Sequence, residues 1–236
     1  MLCRMFCKMI GIIYYGHKYL VQDNLKYWQP SFPYFIERYQ RLILLPIPVG
    51  CNKVGCSWDA TIMQIANPGG GYFQRAMYNG KDRVHAIKFG PLNLPNGMFA
   101  DVQDAEAGAR HDDGLMTMSN INARLCDVQN AANVPPNEHM IIYAEKGLMN
   151  RSHVRTAFRG NNLDAWQQHE NDAMTRPRGV SSEMPFGEVL SESKYISYKK
   201  GMKIQLMAVN QVYIVATLLH NAQHVCLVIG LVRLNR

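Results

Sequence analysis

Apolar residues recur at three- and four-residue spacing through the first 45 positions, a pattern typical of amphipathic helices. The segment 33–45, Pro-Tyr-Phe-Ile-Glu-Arg-Tyr-Gln-Arg-Leu-Ile-Leu-Leu, shows this spacing most clearly. Two prolines and a glycine between 46 and 50 then interrupt the pattern, because neither residue type favours a helix interior. We therefore expect a helical arm over 1–48, followed by a larger domain over 49–230.

Four short segments further along carry the apolar and β-branched residues that favour strands. They are 54–62, 83–89, 97–102 and 140–143. The sequence Leu-Pro-Asn-Gly at 94–97 lies between the second and third segments and is typical of a hairpin turn. The sequence therefore predicts three strands with a hairpin, and a fourth strand that returns later.

Helical patterns cover about 113–127 and 163–175, and two more helices are expected from about 183 onward, the last over 209–228. The order of elements is strand, strand, strand, helix, strand and then helices. This order predicts an α/β fold, in which a hairpin precedes a helix and a central strand follows it.

Composition adds to this picture. Hydrophobic residues make up 47% of the 236 positions, which is enough for a core and excludes a disordered chain. The net charge of +7 favours a polyanionic partner such as nucleic acid, although a solvated basic surface gives the same balance. No run of 18 apolar residues and no secretory signal pattern occurs, so we expect no membrane association. The six cysteines lack the paired spacing of a zinc site, which indicates reduced thiols.

Four acidic residues stand where strands and helices are expected to end or begin, and each has a second interpretation. Asp59 lies in an apolar segment, where an acid is costly to bury unless it is paired or binds a cation, but it also suits a turn. Asp112 suits the N-cap of the next helix. Glu145 directly follows a strand and suits a solvated loop, and Glu183 suits the first turn of a helix.

Grouped carboxylates of this kind are what phosphodiester hydrolysis with two metal ions requires. Two or three acids must hold divalent cations about 3.5–4 Å apart, so that one activates the nucleophile and one the leaving oxygen. Acids at the ends of adjacent central strands, together with one on a packed helix, provide that arrangement. The residues alone do not choose among the four acids.

Six groups of motifs occur in a fixed order over about 35–228. They are Trp58-Asp-Ala-Thr-Ile-Met-Gln-Ile-Ala-Asn-Pro; Gln74-Arg-Ala-Met-Tyr-Asn-Gly with Arg83-Val-His-Ala-Ile-Lys-Phe; Pro95-Asn-Gly-Met-Phe-Ala with Gly108-Ala-Arg-His-Asp; Tyr143-Ala-Glu-Lys-Gly-Leu; Asn171-Asp-Ala-Met with Arg178 and Glu183-Met-Pro-Phe-Gly; and Tyr213-Ile-Val-Ala-Thr-Leu-Leu-His-Asn-Ala. Together they resemble the PIF/Harbinger DDE transposases, a family also called DDE-superfamily endonucleases.

The resemblance implies a ribonuclease H-like fold, a mixed sheet flanked by helices, that cuts DNA in the nucleus with Mg²⁺ or Mn²⁺. In that family the first acid lies on the first strand, the second just after the fourth strand and the third on a later helix. By position these are Asp59, Glu145 and Glu183, which we expect to be both catalytic and metal-binding. Asp112 is a further metal-binding or site-shaping candidate, and His111 and Arg178 are auxiliary ones.

Departures from the family pattern leave two functions open. The second acid is Glu145 where the family has Asp, so its carboxylate reaches one methylene further. Asn67 stands in place of an Arg, and Arg178 and Glu183 are spaced one residue wider than usual. The hypotheses are a metal-dependent endonuclease and transposase domain, or a non-catalytic transposase remnant that binds DNA or protein.

The resemblance also bears on partners. Complete transposases of this family carry an N-terminal helix-turn-helix region, whereas here only the arm precedes Asp59. We therefore expect DNA as a partner, together with a separate DNA-binding protein or further copies of this chain. The basic residues expected at phosphates, if they are not simply solvated, are Arg75, Lys81, Arg83, Lys88, Arg176, Arg178, Lys199, Lys200 and Lys203.

Overall fold

A computed structural model describes residues 2–43, 53–144, 147–149, 151–175, 183–196, 203 and 208–234. Within these residues the strands are β1 (Val54–Trp58), β2 (Thr61–Gln64), β3 (Tyr78–Asn79), β4 (Val84–Phe89), β5 (Pro91–Asn93), β6 (Phe99–Val102), β7 (Glu106–Ala107), β8 (Ile141–Ala144) and β9 (Val154–Thr156). The α-helices are α1 (Leu2–His17), α2 (Leu25–Trp28), α3 (Phe32–Ile43), α4 (Gly71–Met77), α5 (Asp112–Ser119), α6 (Ile121–Ala131), α7 (Ala165–Thr175), α8 (Glu183–Glu192) and α9 (Val209–Leu234).

The main sheet has five strands in the order β6-β5-β1-β8-β9. β6, β5 and β1 pair antiparallel, whereas β1, β8 and β9 run parallel. Along the chain, the three antiparallel strands β1, β5 and β6 come first. β8 then pairs in parallel with β1, and β9 pairs in parallel with β8. The expected α/β class is confirmed, because this is a mixed sheet flanked by helices and compatible with a ribonuclease H-like fold.

The single strand expected over 54–62 is wrong. β1 ends at Trp58, and β2 belongs to a second, small sheet in which it pairs with β4. Trp58 is the last residue of β1 that pairs with β5 and β8, whereas Thr61–Gln64 pair with β4. The consequence is that Asp59 lies at the carboxyl end of a central strand, between the two sheets.

The turn of the hairpin was predicted correctly, but the strand that was expected before the turn was not. The turn at 94–97 joins β5 to β6, and β4 lies in the small sheet instead. Leu94 donates its N–H to the carbonyl of Met98, and Gly97 adopts φ +85°, which favours glycine. β5 escaped prediction because it is only three residues long and begins with Pro91, which lacks a donor and sits at the strand end.

The helix expected over 113–127 is two helices, α5 and α6. Asn120 separates them in the left-handed region, at φ +50°, where asparagine is better tolerated than most residues. The helices expected over 163–175 and from 183 onward are confirmed as α7, α8 and α9. None of the helices in the described parts of the chain is long and apolar enough to cross a membrane.

Two hydrophobic cores hold these elements. One joins α1, α8 and α9 to the small sheet and β6, with Tyr14, Phe99 and Tyr213 among its buried residues. The other joins α3, α5 and α6 to β1 and β8 around Trp58. The helices of the arm thus contribute to both cores, and the boundary placed at 48 stays a prediction.

Candidate active site

Asp59 owes its position to the pairing of two parallel strands. Trp58, the last residue of β1, pairs with Ala144, the last residue of β8. Asp59 comes next after Trp58 in the sequence, and Glu145 comes next after Ala144. Asp59 is half-buried, and Glu145 lies outside the described residues.

The indole of Trp58 anchors the end of β1. Trp58 is 1% exposed and packs against the backbone of Gly90, which links β4 to β5. A Cβ added at Gly90 would lie 2.9 Å from Cε2 of Trp58 and closer still to Cζ2, so only glycine fits there. The close approach ties the strand that precedes Asp59 to the junction of the two sheets.

A cavity of about 380 Å³ opens beside Asp59. It is lined by the chain after β1, the turn between β3 and β4, the start of α5 and one face of α8; the residues are Asp59, Ala60, Thr61, Ile62, Asn79, Lys81, Asp82, Lys88, Asp112, Phe186, Gly187 and Leu190. Two of the four acids singled out by the sequence, Asp59 and Asp112, therefore border one space. Their elements come from different parts of the chain, which is typical of an active site on a scaffold of this kind.

Helix α8 contributes the apolar wall of the cavity. It begins at Glu183, as the sequence predicted, and Pro185 lies in its first turn, where proline is tolerated. Phe186, Gly187 and Leu190 line the cavity, at three, four and seven residues after Glu183. Residues at these spacings share a helix face, so position 183 belongs to the face that borders the cavity. The side chain of Glu183 is not among those described.

Asp112 is bound by a buried lysine. Nζ of Lys88, on β4, lies 2.7 Å from Oδ1 of Asp112 and also donates to the carbonyl of Arg110 at 2.8 Å. Asp112 is the first residue of α5, and His111 is the N-cap, without a side-chain capping bond. The interpretation of Asp112 as the N-cap is therefore wrong, and its carboxylate faces a cation instead. His111 is exposed.

The basic residues expected at phosphates are not alike. Arg75, on α4, and Lys81 and Arg83, in the turn between β3 and β4, are exposed. The side-chain oxygen of Asn79 accepts the backbone N–H groups of Lys81 and Asp82 and so holds that turn at the cavity. Lys88 is 8% exposed, so a phosphate would reach it only inside the cavity. Lys203 is exposed, whereas Arg176, Arg178, Lys199 and Lys200 lie outside the described residues.

Asp113 holds the short segment after β8, a role that the sequence did not indicate. Its Oδ1 accepts the backbone N–H of Met149 at 3.0 Å and a guanidinium N–H of Arg151 at 2.9 Å. Arg159 donates to the carbonyl of Leu148, the residue before Met149. The Met149 hydrogen bond lowers the pKa of Asp113, burial opposes this, and Arg151 adds to the lowering. Asp113 therefore stays ionised and tethers the residues that follow Glu145.

Asp101 is a further acid that the sequence did not single out. It lies on β6, is 1% exposed, and makes two hydrogen bonds to the guanidinium of Arg124, at 2.7 and 2.9 Å. It also accepts the backbone N–H of Asp23. Because its oxygens are occupied by these donors, Asp101 serves the fold and does not border the cavity.

The donor atoms at the cavity suit a hard divalent cation. Asp59 and Asp112 border the cavity with side-chain carboxylates, the ligand type that magnesium and manganese prefer. Lys88 already neutralises Asp112, so a cation there would compete with the ammonium. Asp59, at the carboxyl end of β1, is therefore the candidate metal ligand in the described part of the cavity.

Comparison with known proteins bears on the whole region around this cavity. A family model described as DDE superfamily endonuclease matches residues 58–221, more than half of the chain, from the end of β1 into α9. Comparison with curated proteins and with solved structures gives no match. On the strength of the family match, this chain belongs to the DDE superfamily endonucleases.

Proposed function

We propose that this chain is the catalytic domain of a transposase of the PIF/Harbinger type, which cuts DNA phosphodiester bonds with divalent metal ions held by Asp59, Glu145 and Glu183. The observation that carries the proposal is the parallel pairing of Trp58 with Ala144, because the residues that follow them in sequence are two of these acids. Membership of the family implies a nuclease, a DNA substrate and dependence on a divalent metal. Mg²⁺ is the proposed ion, with Mn²⁺ as its substitute.

The third acid is supported by the position of its helix. α8 begins at Glu183, and the residues one and two turns further on, Gly187 and Leu190, line the cavity with Asp59. Divalent cations held by such carboxylates supply Lewis acidity to the attacking and leaving oxygens of a phosphodiester. Asp59, on the chain after β1, and Glu183, on α8, would thus both bind a metal ion held in the cavity.

Other residues of the chain bind and orient the DNA in this proposal. Lys81 at the cavity rim and Arg75 on α4 are exposed cations that would contact phosphates on either side of the cut. The ammonium of Lys88 fixes Asp112, while Phe186 and Leu190 exclude water from one wall of the cavity. We also propose a nuclear location, and a DNA-binding partner protein or a homo-oligomer.

Metal-dependent nicking of supercoiled plasmid tests the proposal. The purified chain should nick DNA with Mn²⁺ and more slowly with Mg²⁺, and chelation should abolish nicking. Asp59→Asn removes one negative charge from the proposed metal site and should slow nicking by about 100-fold or more, since even the loss of a residue that only orients a metal ligand costs about 10- to 100-fold. Asp82→Asn is the matched control, because Asp82 lines the same cavity from the turn after β3 and has no proposed role. Equal activity of Asp59→Asn and the wild type would overturn the proposal.

A non-catalytic remnant is the second candidate, and two observations favour it. The cavity already contains an internal cation, Lys88, on one of its acids, and the second acid is Glu145 where the family has Asp. This function predicts DNA binding without nicking in either metal. Gel-shift affinity that is independent of Mn²⁺ and unchanged in Asp59→Asn, together with no nicking, would support the remnant over the nuclease.

A further inference from the structure

A cluster of one thiol and two imidazoles lies at the end of the sheet away from the cavity. His139 precedes β8, His153 precedes β9, and Cys126 lies on α6. Asp59 follows the carboxyl end of β1, which is parallel to β8, whereas the two histidines lie at the amino ends of β8 and β9. The four residues of β8, roughly 13 Å of strand, separate the two places.

The potential ligand atoms already lie close together. Nδ1 of His139 is 2.9 Å from Nε2 of His153, and one ligand atom from each of Cys126, His139 and His153 lies within 4.8 Å of the others. Tetrahedral zinc, with bonds of about 2.0–2.3 Å, places its ligand atoms roughly 3.3–3.8 Å apart. Small side-chain rotations would therefore bring these three ligand atoms to the spacing of a tetrahedral zinc site. His139 follows Cys126 by 13 positions and precedes His153 by 14, so the three residues form no short sequence motif.

In each imidazole, the nitrogen that does not face the other histidine has a hydrogen-bond partner. Nε2 of His139 lies 2.9 Å from the carbonyl oxygen of Val134, which only accepts, so Nε2 carries the proton and Nδ1 holds a lone pair. Nδ1 of His153 lies 3.1 Å from the hydroxyl of Ser152, which also contacts Asn122. Metal-binding histidines are commonly held in this way, by a carbonyl or hydroxyl on the nitrogen that faces away from the ion.

Both imidazoles lie inside the fold. His139 and His153 are 5% and 8% exposed, so an ion bound between them would be largely shielded from water. Thiolate and imidazole together favour zinc over magnesium or calcium, which prefer oxygen.

We propose that Cys126, His139 and His153 bind Zn²⁺, which joins α6 to the amino ends of β8 and β9. The fourth position is left to water. The site differs in place and donor type from the oxygen-lined cavity, and the proposal does not depend on nuclease activity.

The competing arrangement is a hydrogen bond without an ion. If the Ser152 hydroxyl donates to His153, Nε2–H of His153 donates to the lone pair of His139, and both rings are satisfied. If the hydroxyl instead donates to Asn122, two lone pairs face each other at 2.9 Å, and either a proton or a metal ion must lie between them. The two arrangements differ in whether the thiol of Cys126 takes part.

Titration of the metal-free full chain with Co²⁺ in excess Mg²⁺ separates these arrangements. Co²⁺ bound by Cys126 should give a thiolate-to-metal charge-transfer band that saturates at a single equivalent and disappears on adding Zn²⁺. Zn²⁺ should also raise the thermal midpoint of the chelator-treated protein, because it binds only the folded state. Absence of the band together with an unchanged midpoint would overturn the proposal and establish the ion-free hydrogen bond.

Cysteine variants locate the site. Cys126→Ser should abolish the band and weaken Zn²⁺ binding by more than the roughly 10-fold typical of losing a residue that only orients a ligand. Cys226→Ser, which changes an exposed thiol on α9, should leave the band and the Zn²⁺ affinity unchanged. Circular dichroism of both variants checks that they are folded. A band that persists in folded Cys126→Ser would refute the assignment; if that variant does not fold, His153→Gln is tested in the same way.

Discussion

The ammonium of Lys88 lies 2.7 Å from Oδ1 of Asp112, within the cavity that Asp59 borders. The lysine side chain is 10% exposed and the aspartate side chain 33%, so the pair is largely removed from solvent. Among the described residues Nζ has two acceptors, Asp112 and the Arg110 carbonyl, and an ammonium has three N–H groups. Lys88 thus holds the carboxylate of Asp112 in place, and two of its three N–H groups have acceptors among the described residues.

Asp112→Asn is expected to destabilise the protein and to leave metal binding nearly intact. The substitution removes the only described carboxylate that pairs with the buried Lys88, and breaking a partly buried pair from one side costs about 1–3 kcal/mol. Urea unfolding measures this loss, and Mn²⁺ titration measures the affinity. Asp82→Asn, an exposed acid of the same cavity, should change stability little.

The opposite result would reassign Asp112. If Asp112→Asn keeps the stability of the wild type but weakens Mn²⁺ binding as strongly as Asp59→Asn, Asp112 is a metal ligand. The Lys88 contact would then describe only the metal-free protein.

Glu145→Asp is expected to raise nicking activity. The substitution shortens the second acid by one methylene and restores the residue usual in the family, and a misplacement of about 1 Å can cost roughly 100-fold in rate. Rates of Mn²⁺-dependent nicking by the two proteins provide the measurement. Glu138→Asp, the same change in the turn before β8, is the matched control and should have no effect. A decrease with Glu145→Asp would mean that the cavity has adapted to the longer side chain.

Much of the fold followed from local patterns. The buried strand before Glu145 and the helix beginning at Glu183 were both predictable, because apolar runs and first-turn residues mark them in sequence. The turn at 94–97 was predictable for the same reason, since its Asn-Gly pair suits few other conformations. These features depend on neighbours along the chain and need no knowledge of the sheet.

The rest depended on contacts between distant segments. Apolar positions continue across 54–62, so the pattern indicates burial but not that the chain passes from one sheet to another at Asp59. Lys88 and Asp112 are 24 residues apart, and nothing near either residue indicates the other. Lys88 therefore looked like a surface cation in the sequence, although the structure buries it against Asp112.

Gly90→Ala is expected to disturb the active site through Trp58. A methyl group at Gly90 would overlap the indole of Trp58, which is 1% exposed and cannot move away freely. Such overpacking costs about 1–3 kcal/mol and would shift the end of β1, on which Asp59 depends. Gly80→Ala is the matched control, because a Cβ there meets nothing within 4 Å. Unfolding free energy and Mn²⁺ affinity should fall for Gly90→Ala and not for Gly80→Ala. If both variants give the same values, the indole of Trp58 can move enough to accommodate the methyl group.

Acidification is expected to loosen the segment after Glu145 through Asp113. The hydrogen bond from Met149 lowers the pKa of Asp113 in the folded protein, against burial and with help from Arg151. The folded state therefore binds this proton less readily than the unfolded chain. The resulting stability is complete above the ordinary aspartate value of about 3.9 and is lost as the pH falls through the lowered value.

Asp113→Asn isolates this contribution. The variant should be less stable than the wild type at about pH 6. The difference should be smaller at about pH 2, because the wild-type carboxyl takes up its proton as the pH falls through the lowered pKa of Asp113. Urea unfolding at both pH values measures the difference, and hydrogen exchange at the Met149 amide shows whether the loss is local. Asp127→Asn, an exposed acid on α6, controls for the change of charge. A difference that stays constant with pH would mean that Asp113 acts through its shape and hydrogen bonds, and not through its charge.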